Sequence, residues 1–300
     1  MKPLIIYHKG CLDGITAALV TAYGIYDKIP LELRPPSAID SVEFLPAKYG
    51  DPIPDIRGRE VYIVDFSYPP ENLVPASAYA KEIVIIDHHK TAIDKWSSFQ
   101  YYSENITTIF DLTCSGAGLA WIHFNGILKD PPAYVRLAED YDLYNFTYED
   151  TKPYVAAVMA DGCVQNSDIA SFEYLINDSF IDDLVHDGNI LLKARDSIIQ
   201  ELVKNNTKEI VLDEHRVLIC NCPQNFRDEV GEMLCKDRPF SITYDDALAT
   251  NIRKFSLRSN KVYGIDVAKI AERYNGGGHR NAAAFTTMKL GFSFISGFMC

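Results

Sequence analysis

The sequence predicts an α/β protein in two parts: a parallel-sheet N-terminal domain joined by a long helix to a smaller, mixed-sheet α/β C-terminal domain. Short apolar runs alternate with helix-like stretches over the first part, as in a doubly wound parallel sheet. A second set of strand patterns begins near residue 208, after a helical stretch that is poor in turn residues. We therefore predict domains at 1–180 and 208–300, with a connecting helix at 181–207.

The N-terminal part contains three apolar strand patterns, each of which ends in polar residues. They are KPLIIYHKG from residue 2, EVYIVDFS from residue 60 and EIVIIDHHK from residue 82. Helix-like stretches follow the first two strands (LDGITAALVTAYGIY and PPENLVPASAYAKE), and two more occur at CSGAGLAWIHFNGIL and AYVRLAEDYDLYNF. Because ligands of open α/β sheets bind outside the carboxyl ends of the strands, we expect the polar strand ends to form a site.

The C-terminal part begins after FIDDLVHDGNILLKARDSIIQELVKNN, which predicts the long connecting helix. Strands are predicted at KEIVLDEHRVLICNC, FSITYDDAL and NIRKFSLRS, with a helix at DEVGEMLCK. No internal repeat is visible, which excludes a solenoid.

The composition favours a cytoplasmic globular protein without a membrane partner. The chain has 300 residues, 47% of them hydrophobic, and no apolar run approaches the roughly 20 residues that cross a bilayer. Residues at the N-terminus lack the pattern of a signal peptide. Seven cysteines without a CxxC pair argue against both a disulfide framework and a zinc knuckle, so we expect reduced thiols.

The charge is negative and unevenly distributed. The net charge of -12 disfavours a protein that binds long duplex nucleic acid. Residues 208–300 contain 13 Lys and Arg against 11 Asp and Glu, which leaves a net charge of -14 for residues 1–207. Such an acidic first part would repel phosphates unless bound cations changed the local sign.

Carboxylates and imidazoles accumulate at the predicted strand ends and on one helix. These ligands suit Mn²⁺, Mg²⁺ or Zn²⁺, and two ions about 3.5–4 Å apart share one carboxylate, for which Asp65 on the middle strand is the natural candidate. A single Asp after a strand is most often a helix cap or a turn residue, so the prediction depends on the whole group. The group comprises His8, Asp13, Asp65, Asp87, His88, His89, Asp140 and Asp142.

In order along the chain, YHKGCLDG, VDFS, DHH, AEDYDLY and GGGHRNAAAF resemble the motifs of the DHH phosphoesterase family. That family includes nanoRNases, which are oligoribonucleases, and related exopolyphosphatases. The resemblance covers nearly the whole chain, and it implies a catalytic N-terminal domain followed by a DHH-associated, substrate-binding domain.

The resemblance implies a role for each matching residue. Asp65 would bridge two metal ions, His89 would face the substrate phosphate, and Asp87 would orient its neighbours, so these three are the expected catalytic residues. In the fourth motif we match Asp140 to the metal-binding aspartate, with Asp142 as the alternative. The implied metal ligands are His8, Cys11, Asp13, Asp65, His88 and Asp140.

Cys11 departs from the pattern, because the family commonly has a carboxylate at this position. A thiol is a softer ligand that favours zinc or iron over Mn²⁺. The alternative is that Cys11 is a small residue at the start of a helix and touches no metal.

Substrate-binding residues are expected mainly in the C-terminal domain. Glycine lets backbone N–H groups approach an anion, and histidine and arginine supply charge to a phosphate. In CSGAG, Ser115 either caps a helix or contacts the substrate. The expected substrate contacts are Ser115, His89, Arg258, Gly276, Gly277, Gly278, His279 and Arg280.

Together these observations predict a metal-dependent hydrolase of phosphodiester or phosphomonoester bonds in short nucleotides. Two Mn²⁺ ions are the favoured cofactor, with Mg²⁺ or Zn²⁺ as alternatives. Short oligonucleotides, dinucleotides and phosphoadenosine-type nucleotides are the expected substrates, and homodimerisation stays open. Two other functions remain: an exopolyphosphatase, and a non-catalytic regulatory protein that binds a nucleotide or a metal.

Overall fold

The computed structural model describes residues 1–100, 103–246 and 251–288. The chain divides into two compact units, Met1–Leu192 and Lys193–Cys300. The division falls inside a 26-residue helix, Ile181–Asn206. This helix occupies almost the same residues as the connecting helix predicted at 181–207. Cys300 and the end of the predicted strand FSITYDDAL lie outside the described residues.

The first unit is built on a five-stranded sheet in the order β2-β1-β3-β4-β5. All neighbouring strands are parallel, which confirms the predicted parallel sheet. Three strands match the predicted apolar runs, whereas β2 and β5 were not predicted, because both are partly exposed and lack a continuous apolar run. The strands are β1 (Leu4–His8), β2 (Glu43–Ala47), β3 (Glu60–Val64), β4 (Glu82–Asp87) and β5 (Ile106–Phe110).

The apolar runs arise because the central strands are covered on both faces. Along β4, the side chains of Ile83 and Ile85 pack in one core cluster, and those of Val84 and Ile86 pack in a second cluster on the opposite face. After the exposed Glu82 at its start, the strand therefore presents no polar side chain until its end, at Asp87.

Helices cover both faces of this sheet. The longest of those that follow strands, α1, has most of its residues buried, including Ala17, Ala18 and Leu19. The helices are α1 (Leu12–Lys28), α2 (Pro70–Ser77), α3 (Lys90–Ser98), α4 (Gly116–Asn125), α5 (Ala133–Asp142), α6 (Thr151–Asp161), α7 (Cys163–Asn166), α8 (Ile169–Leu175) and α9 (Ile181–Asn206).

The second unit contains a six-stranded mixed sheet in the order β10-β11-β9-β8-β7-β6. Strands β7 and β8 are parallel and the other neighbours are antiparallel, as expected for a mixed sheet. The elements are β6 (Thr207–Leu212), β7 (His215–Asn221), α10 (Arg227–Leu234), β8 (Phe240–Asp246), β9 (Ile252–Ser259), α11 (Val267–Glu272), β10 (Gly277–His279) and β11 (Ala282–Met288).

The structure bears on two expectations from the sequence, one about membrane-spanning helices and one about the cysteines. Within the described ranges, no helix is both long enough and apolar enough to cross a membrane. The six described cysteines are free thiols, consistent with the expectation of reduced cysteines.

Candidate metal centre

Asp65 occupies the point where the sheet order reverses. From β1 the chain runs outward to β2 and then crosses back to β3, so β1 and β3 form the switch point at which α/β sheets bind ligands. Asp65 follows β3 immediately, is fully buried and has a φ of 55°. This left-handed conformation is uncommon outside glycine and tends to occur at functional sites.

Each oxygen of the Asp65 carboxylate lies beside a different imidazole. Oδ2 is 3.4 Å from Nδ1 of His8, at the end of β1, and Oδ1 is 3.2 Å from Nε2 of His88, just after β4. Although burial opposes ionisation, these two histidine contacts prevail and lower the pKa of Asp65. A carboxylate with one imidazole on each side has the arrangement expected of a ligand shared by two ions.

The four atoms that meet at Asp65 are buried and have no hydrogen-bond partner among the described residues. They are Nδ1 of His8, Oδ1 and Oδ2 of Asp65, and Nε2 of His88. Buried polar atoms without partners cost free energy and are rare in folded proteins. Nitrogen and carboxylate oxygen ligands suit a divalent cation, which would satisfy these atoms together.

Asp13 and Asp142 complete the acidic side of this cluster. Nε2 of His88 lies 3.4 Å from Oδ2 of Asp142 and 3.8 Å from Oδ2 of Asp13. Burial and the neighbouring Asp65 charge raise the pKa of Asp13 well above its usual value, and the same two causes raise the pKa of Asp142. A bound cation would relieve this repulsion, so the charge balance also fits a metal.

Asp140, the residue first matched to the fourth motif, points elsewhere, and the alternative Asp142 takes its place. The Asp140 carboxylate is buried and accepts hydrogen bonds from the backbone N–H groups of Thr147 at 2.8 Å and Tyr148 at 3.3 Å, and from the Thr151 hydroxyl. Residues two apart on a helix face different directions, so only one aspartate of this pair reaches the cluster. Asp140 instead holds the loop that follows α5.

Cys11 lies at the start of a helix and close to two candidate ligands. It precedes α1 as the N-cap residue but makes no side-chain capping bond. Ligand atoms of Cys11, His8 and Asp65 lie within 4.8 Å of one another. Burial, together with the charges of Asp65 and Asp13, raises the pKa of the thiol. Cys11 is therefore at the start of a helix and also at the edge of the metal centre.

Asp87 holds the His89 imidazole in position. Nδ1 of His89 lies 2.8 Å from Oδ1 of Asp87, which also accepts the His89 backbone N–H at 3.1 Å. The other oxygen of Asp87 accepts the hydroxyl of Ser67. The contact with Asp87 raises the pKa of His89, and the ring is one-third exposed while Asp87 is fully buried. Asp87 thus fixes an accessible imidazole beside the cluster.

Ser115 does not contact a substrate in the predicted way, because it is fully buried and its hydroxyl accepts the Gly118 N–H at 3.2 Å as the N-cap of α4. The start of α4 instead binds Asp13. The Asp13 carboxylate accepts hydrogen bonds from the backbone N–H groups of Gly116 at 2.6 Å and Ala117 at 3.0 Å. An anion at a helix N-terminus is favourable, so α4 holds Asp13 in position. This contact joins residues over 100 positions apart and has no signal in the sequence.

The predicted substrate residues of the second unit lie on and beside the β10–β11 hairpin. The register pairs His279 with Ala282 and Ala282 with Arg258, so the side chains of His279 and Arg258 lie on the same face of the sheet. The Arg258 guanidinium binds the Asp228 carboxylate and the Leu257 carbonyl.

The remaining predicted residues have structural roles that the sequence did not indicate. Arg280 donates to the Gly264 carbonyl at 3.1 Å. Gly276 precedes the hairpin and Gly277 begins it. Gly278 has a φ of 147° and leaves no room for a Cβ beside the Ala282 carbonyl. The hairpin therefore requires at least one of its glycines, independently of any ligand.

Tyr49 is a residue at the centre that sequence reasoning missed. Its half-exposed ring lies 5.9 Å from the His8 ring and 6.1 Å from the His89 ring, both edge-on. Tyr49 belongs to the turn after β2, the edge strand that the apolar pattern did not indicate.

The chain is similar in sequence to two known proteins. No model of a known protein family matches the chain. It is 27% identical to the uncharacterized protein R106 of Acanthamoeba polyphaga mimivirus, over 98% of this chain and 68% of that protein. It is 25% identical to the oligoribonuclease NrnB of Bacillus subtilis (strain 168), over 93% of this chain and 71% of NrnB.

Two solved structures share the fold across most of the chain. The pGpG-specific phosphodiesterase PggH of Vibrio cholerae matches with a TM-score of 0.60 and 13% identity, over 98% of this chain and 96% of PggH. The exonuclease RecJ bound to manganese matches with a TM-score of 0.51 and 13% identity, over 98% of this chain and 88% of RecJ. At this identity the likeness is one of fold.

The order of the motifs, the fold and the cluster of potential ligands agree with one another. His8, Asp65 and His88 come from three motifs and meet at one edge of the parallel sheet. The order of its motifs is similar to that of the DHH phosphoesterases, and the chain shares its fold with PggH and RecJ and is similar in sequence to NrnB.

Proposed function

We propose that the chain hydrolyses phosphodiester bonds in short nucleotides with the help of two divalent ions, preferentially Mn²⁺. The observation that supports this most strongly is the group of four buried ligand atoms at His8, Asp65 and His88, which have no hydrogen-bond partner among the described residues. Buried polar atoms without hydrogen-bond partners cost free energy, and a bound cation would satisfy these four atoms together. The ligands we assign to the ions are His8, Cys11, Asp13, Asp65, His88 and Asp142.

Asp65, Asp87 and His89 have different roles in the proposed reaction. Bound divalent ions would lower the pKa of water and neutralise charge on phosphoryl oxygens. Asp65 holds the two sides of the site together, since its oxygens face His8 and His88 separately. Asp87 holds Nδ1 of His89, so Nε2 remains to contact a phosphoryl oxygen of the substrate. Such fixed groups stabilise developing charge without reorganising.

A short nucleotide is favoured as the substrate by both charge and likeness. The net charge of -12 is unfavourable for a long polyanion, whereas one or two phosphates can be balanced locally by ions. NrnB is an oligoribonuclease and PggH is a pGpG-specific phosphodiesterase. In the second unit, His279 and Arg258 share a sheet face and are our candidates for holding a further phosphate.

Hydrolysis assays with purified protein test this function. The substrates are a 5′-phosphorylated diribonucleotide, a short DNA, 3′-phosphoadenosine 5′-phosphate and inorganic polyphosphate, each with Mn²⁺, Mg²⁺, Zn²⁺ or chelator. We expect Mn²⁺-dependent release of mononucleotides from the diribonucleotide and none in chelator. Cleavage of polyphosphate alone would overturn the nucleotide assignment. Nucleotide binding without turnover of any substrate would indicate a regulatory protein instead.

A further inference from the structure

A cavity of about 420 Å³ lies beside the metal centre, entirely within the first unit. Residues 49–53 of the loop after β2 and residues 66–69 after β3 form most of its wall, and Asn72 of α2 and Lys95 of α3 complete it. The volume is within the range of about 300–1,000 Å³ typical of small-molecule sites. The cavity can therefore hold one portion of a small ligand.

Tyr49 joins this cavity to the catalytic residues. Its ring lines the cavity and also contacts His8 and His89 edge-on, with ring centroids 5.9 and 6.1 Å away. The side chain is 49% exposed, so part of its aromatic surface is open to a ligand. A group bound against Tyr49 would be adjacent to a phosphate at the metal centre.

The chemistry of the lining suits a flat aromatic ligand with polar edges. Behind Tyr49, the buried rings of Phe66 and Tyr68 support it through edge-to-face contacts, with centroid distances of 5.2 Å between Tyr49 and Phe66 and 4.8 Å between Phe66 and Tyr68. Asn72 offers both a donor and an acceptor, and Lys95 offers donors. Every nucleobase combines a π-face with donors and acceptors at its edge, whereas inorganic polyphosphate offers acceptors but has no π-face.

We propose that this cavity binds the nucleobase next to the scissile phosphate, with the base stacked on Tyr49. The proposal rests on the proposed function, because it places the phosphate of the same nucleotide at the metal centre. It specifies the substrate class further: the preferred substrates carry a base beside the bond that is cleaved, which disfavours inorganic polyphosphate.

The test compares substrates with and without a base in variants of Tyr49. The substrates are a 5′-phosphorylated diadenylate and two analogues in which either the 5′ or the 3′ base is replaced by hydrogen. The variants are Tyr49→Leu, which removes the aromatic face, and Tyr49→Phe, which keeps it. Tyr79→Leu is the matched control, since Tyr79 is an exposed tyrosine of the same unit that does not line the cavity.

In the wild type, removal of one of the two bases should lower kcat/KM about 5- to 150-fold, the range expected for one base stack. The same removal should cost less than about threefold in Tyr49→Leu, while Tyr49→Phe and Tyr79→Leu should respond as the wild type does. An equal penalty for base removal in the wild type and in Tyr49→Leu would overturn the proposal.

A binding measurement separates the failure of this inference from failure of the proposed function. The probe is a dinucleotide that contains 2-aminopurine and has a methylene group in place of the scissile ester oxygen, and quenching of its fluorescence reports stacking. If the wild type cleaves no substrate but Tyr49→Leu abolishes the quenching, the function fails and the base site stands. If the wild type cleaves dinucleotides and Tyr49→Leu changes neither quenching nor turnover, the base site fails and the function stands.

Discussion

Two clusters of charged side chains, one in each unit, differ in how completely they are hydrogen-bonded. In the first unit, His8, Asp65 and His88 leave four buried ligand atoms without a hydrogen-bond partner in the described structure. In the second unit, Arg258 donates to the Asp228 carboxylate and to a backbone carbonyl. The first cluster therefore needs a ligand to be satisfied, whereas the second is satisfied by the protein itself.

The difference shows what residue types alone cannot reveal. Both clusters contain groups that bind phosphates or cations, and both were predicted as functional from the sequence. An anion that binds Arg258 must compete with Asp228, while a cation at Asp65 displaces no protein hydrogen bond. We therefore expect substitutions in the first cluster to have larger effects than those in the second.

The largest effect is expected from Asp65→Asn. Asparagine tolerates the left-handed backbone at this position, so the change removes the charge and preserves the local conformation. We expect a loss of at least about 1,000-fold in kcat, because a shared ligand of the ions is lost. Metal titration by calorimetry should show loss of at least one ion.

Asp213→Asn is the matched control for Asp65→Asn, because Asp213 also has a positive φ, 52°, and lies in the second unit. It should retain wild-type turnover. Full activity of Asp65→Asn would contradict the assignment of Asp65 as a shared ligand.

Asp142→Asn and Asp140→Asn should separate metal binding from stability. Asp142 faces His88, so its substitution should weaken metal binding about 10- to 100-fold with little change in thermal stability. Asp140 is bonded to the loop after α5, so its substitution should lower the free energy of unfolding by about 1–3 kcal/mol and leave metal affinity unchanged. Calorimetry and thermal denaturation measure the two effects, and the reverse pattern would restore Asp140 as the ligand.

Arg258 and Asp228 test the paired cluster of the second unit. Arg258→Gln should raise KM for a dinucleotide about tenfold without changing the affinity for Mn²⁺, since a charged contact to phosphate is lost. Asp228→Asn should lower KM about threefold, because the carboxylate no longer competes for the guanidinium. Steady-state kinetics at saturating Mn²⁺ provide the measurement. An unchanged KM in Arg258→Gln would remove Arg258 from the substrate site.

The smallest effect is expected at Cys11. Its thiol lies near His8 and Asp65, and sulfur favours Zn²⁺ over Mn²⁺. Cys11→Ser should reduce the affinity for Zn²⁺ about tenfold relative to that for Mn²⁺ and change Mn²⁺-dependent turnover by less than about threefold. Competition titrations of the two metals decide this, and an unchanged ratio of affinities would show that the thiol is not a ligand.

The sequence predicted the residues at the ends of β1, β3 and β4 because these strands are buried on both faces. Their apolar runs stop where the polar site begins, as at Asp87. The edge strand β2 has a proline and intermediate exposure, so its pattern was not recognised, and Tyr49 in the following turn was missed with it.

Other features depend on contacts that no local pattern records. The choice between Asp140 and Asp142 depends on how α5 is rotated against the sheet, and both residues satisfy the same motif. The bonds between Asp13 and the start of α4 join segments that are distant in the chain. The second strand of the glycine-rich hairpin pairs with β9, which makes the run AAAF a strand.

The start of α4 offers a criterion for judging other chains that carry the same ligands. A Cβ at Gly116 would lie 2.6 Å from Cβ of Asp65, and one at Gly118 would lie 1.6 Å from a carboxylate oxygen of Glu139. Neither glycine carries a ligand group. A side chain at Gly116 would collide with Asp65 itself and push the α4 start away from Asp13, whereas the Glu139 carboxylate beside Gly118 could move aside. We therefore expect a homologue that keeps every histidine and aspartate but has lost the glycine at position 116 to have a distorted centre.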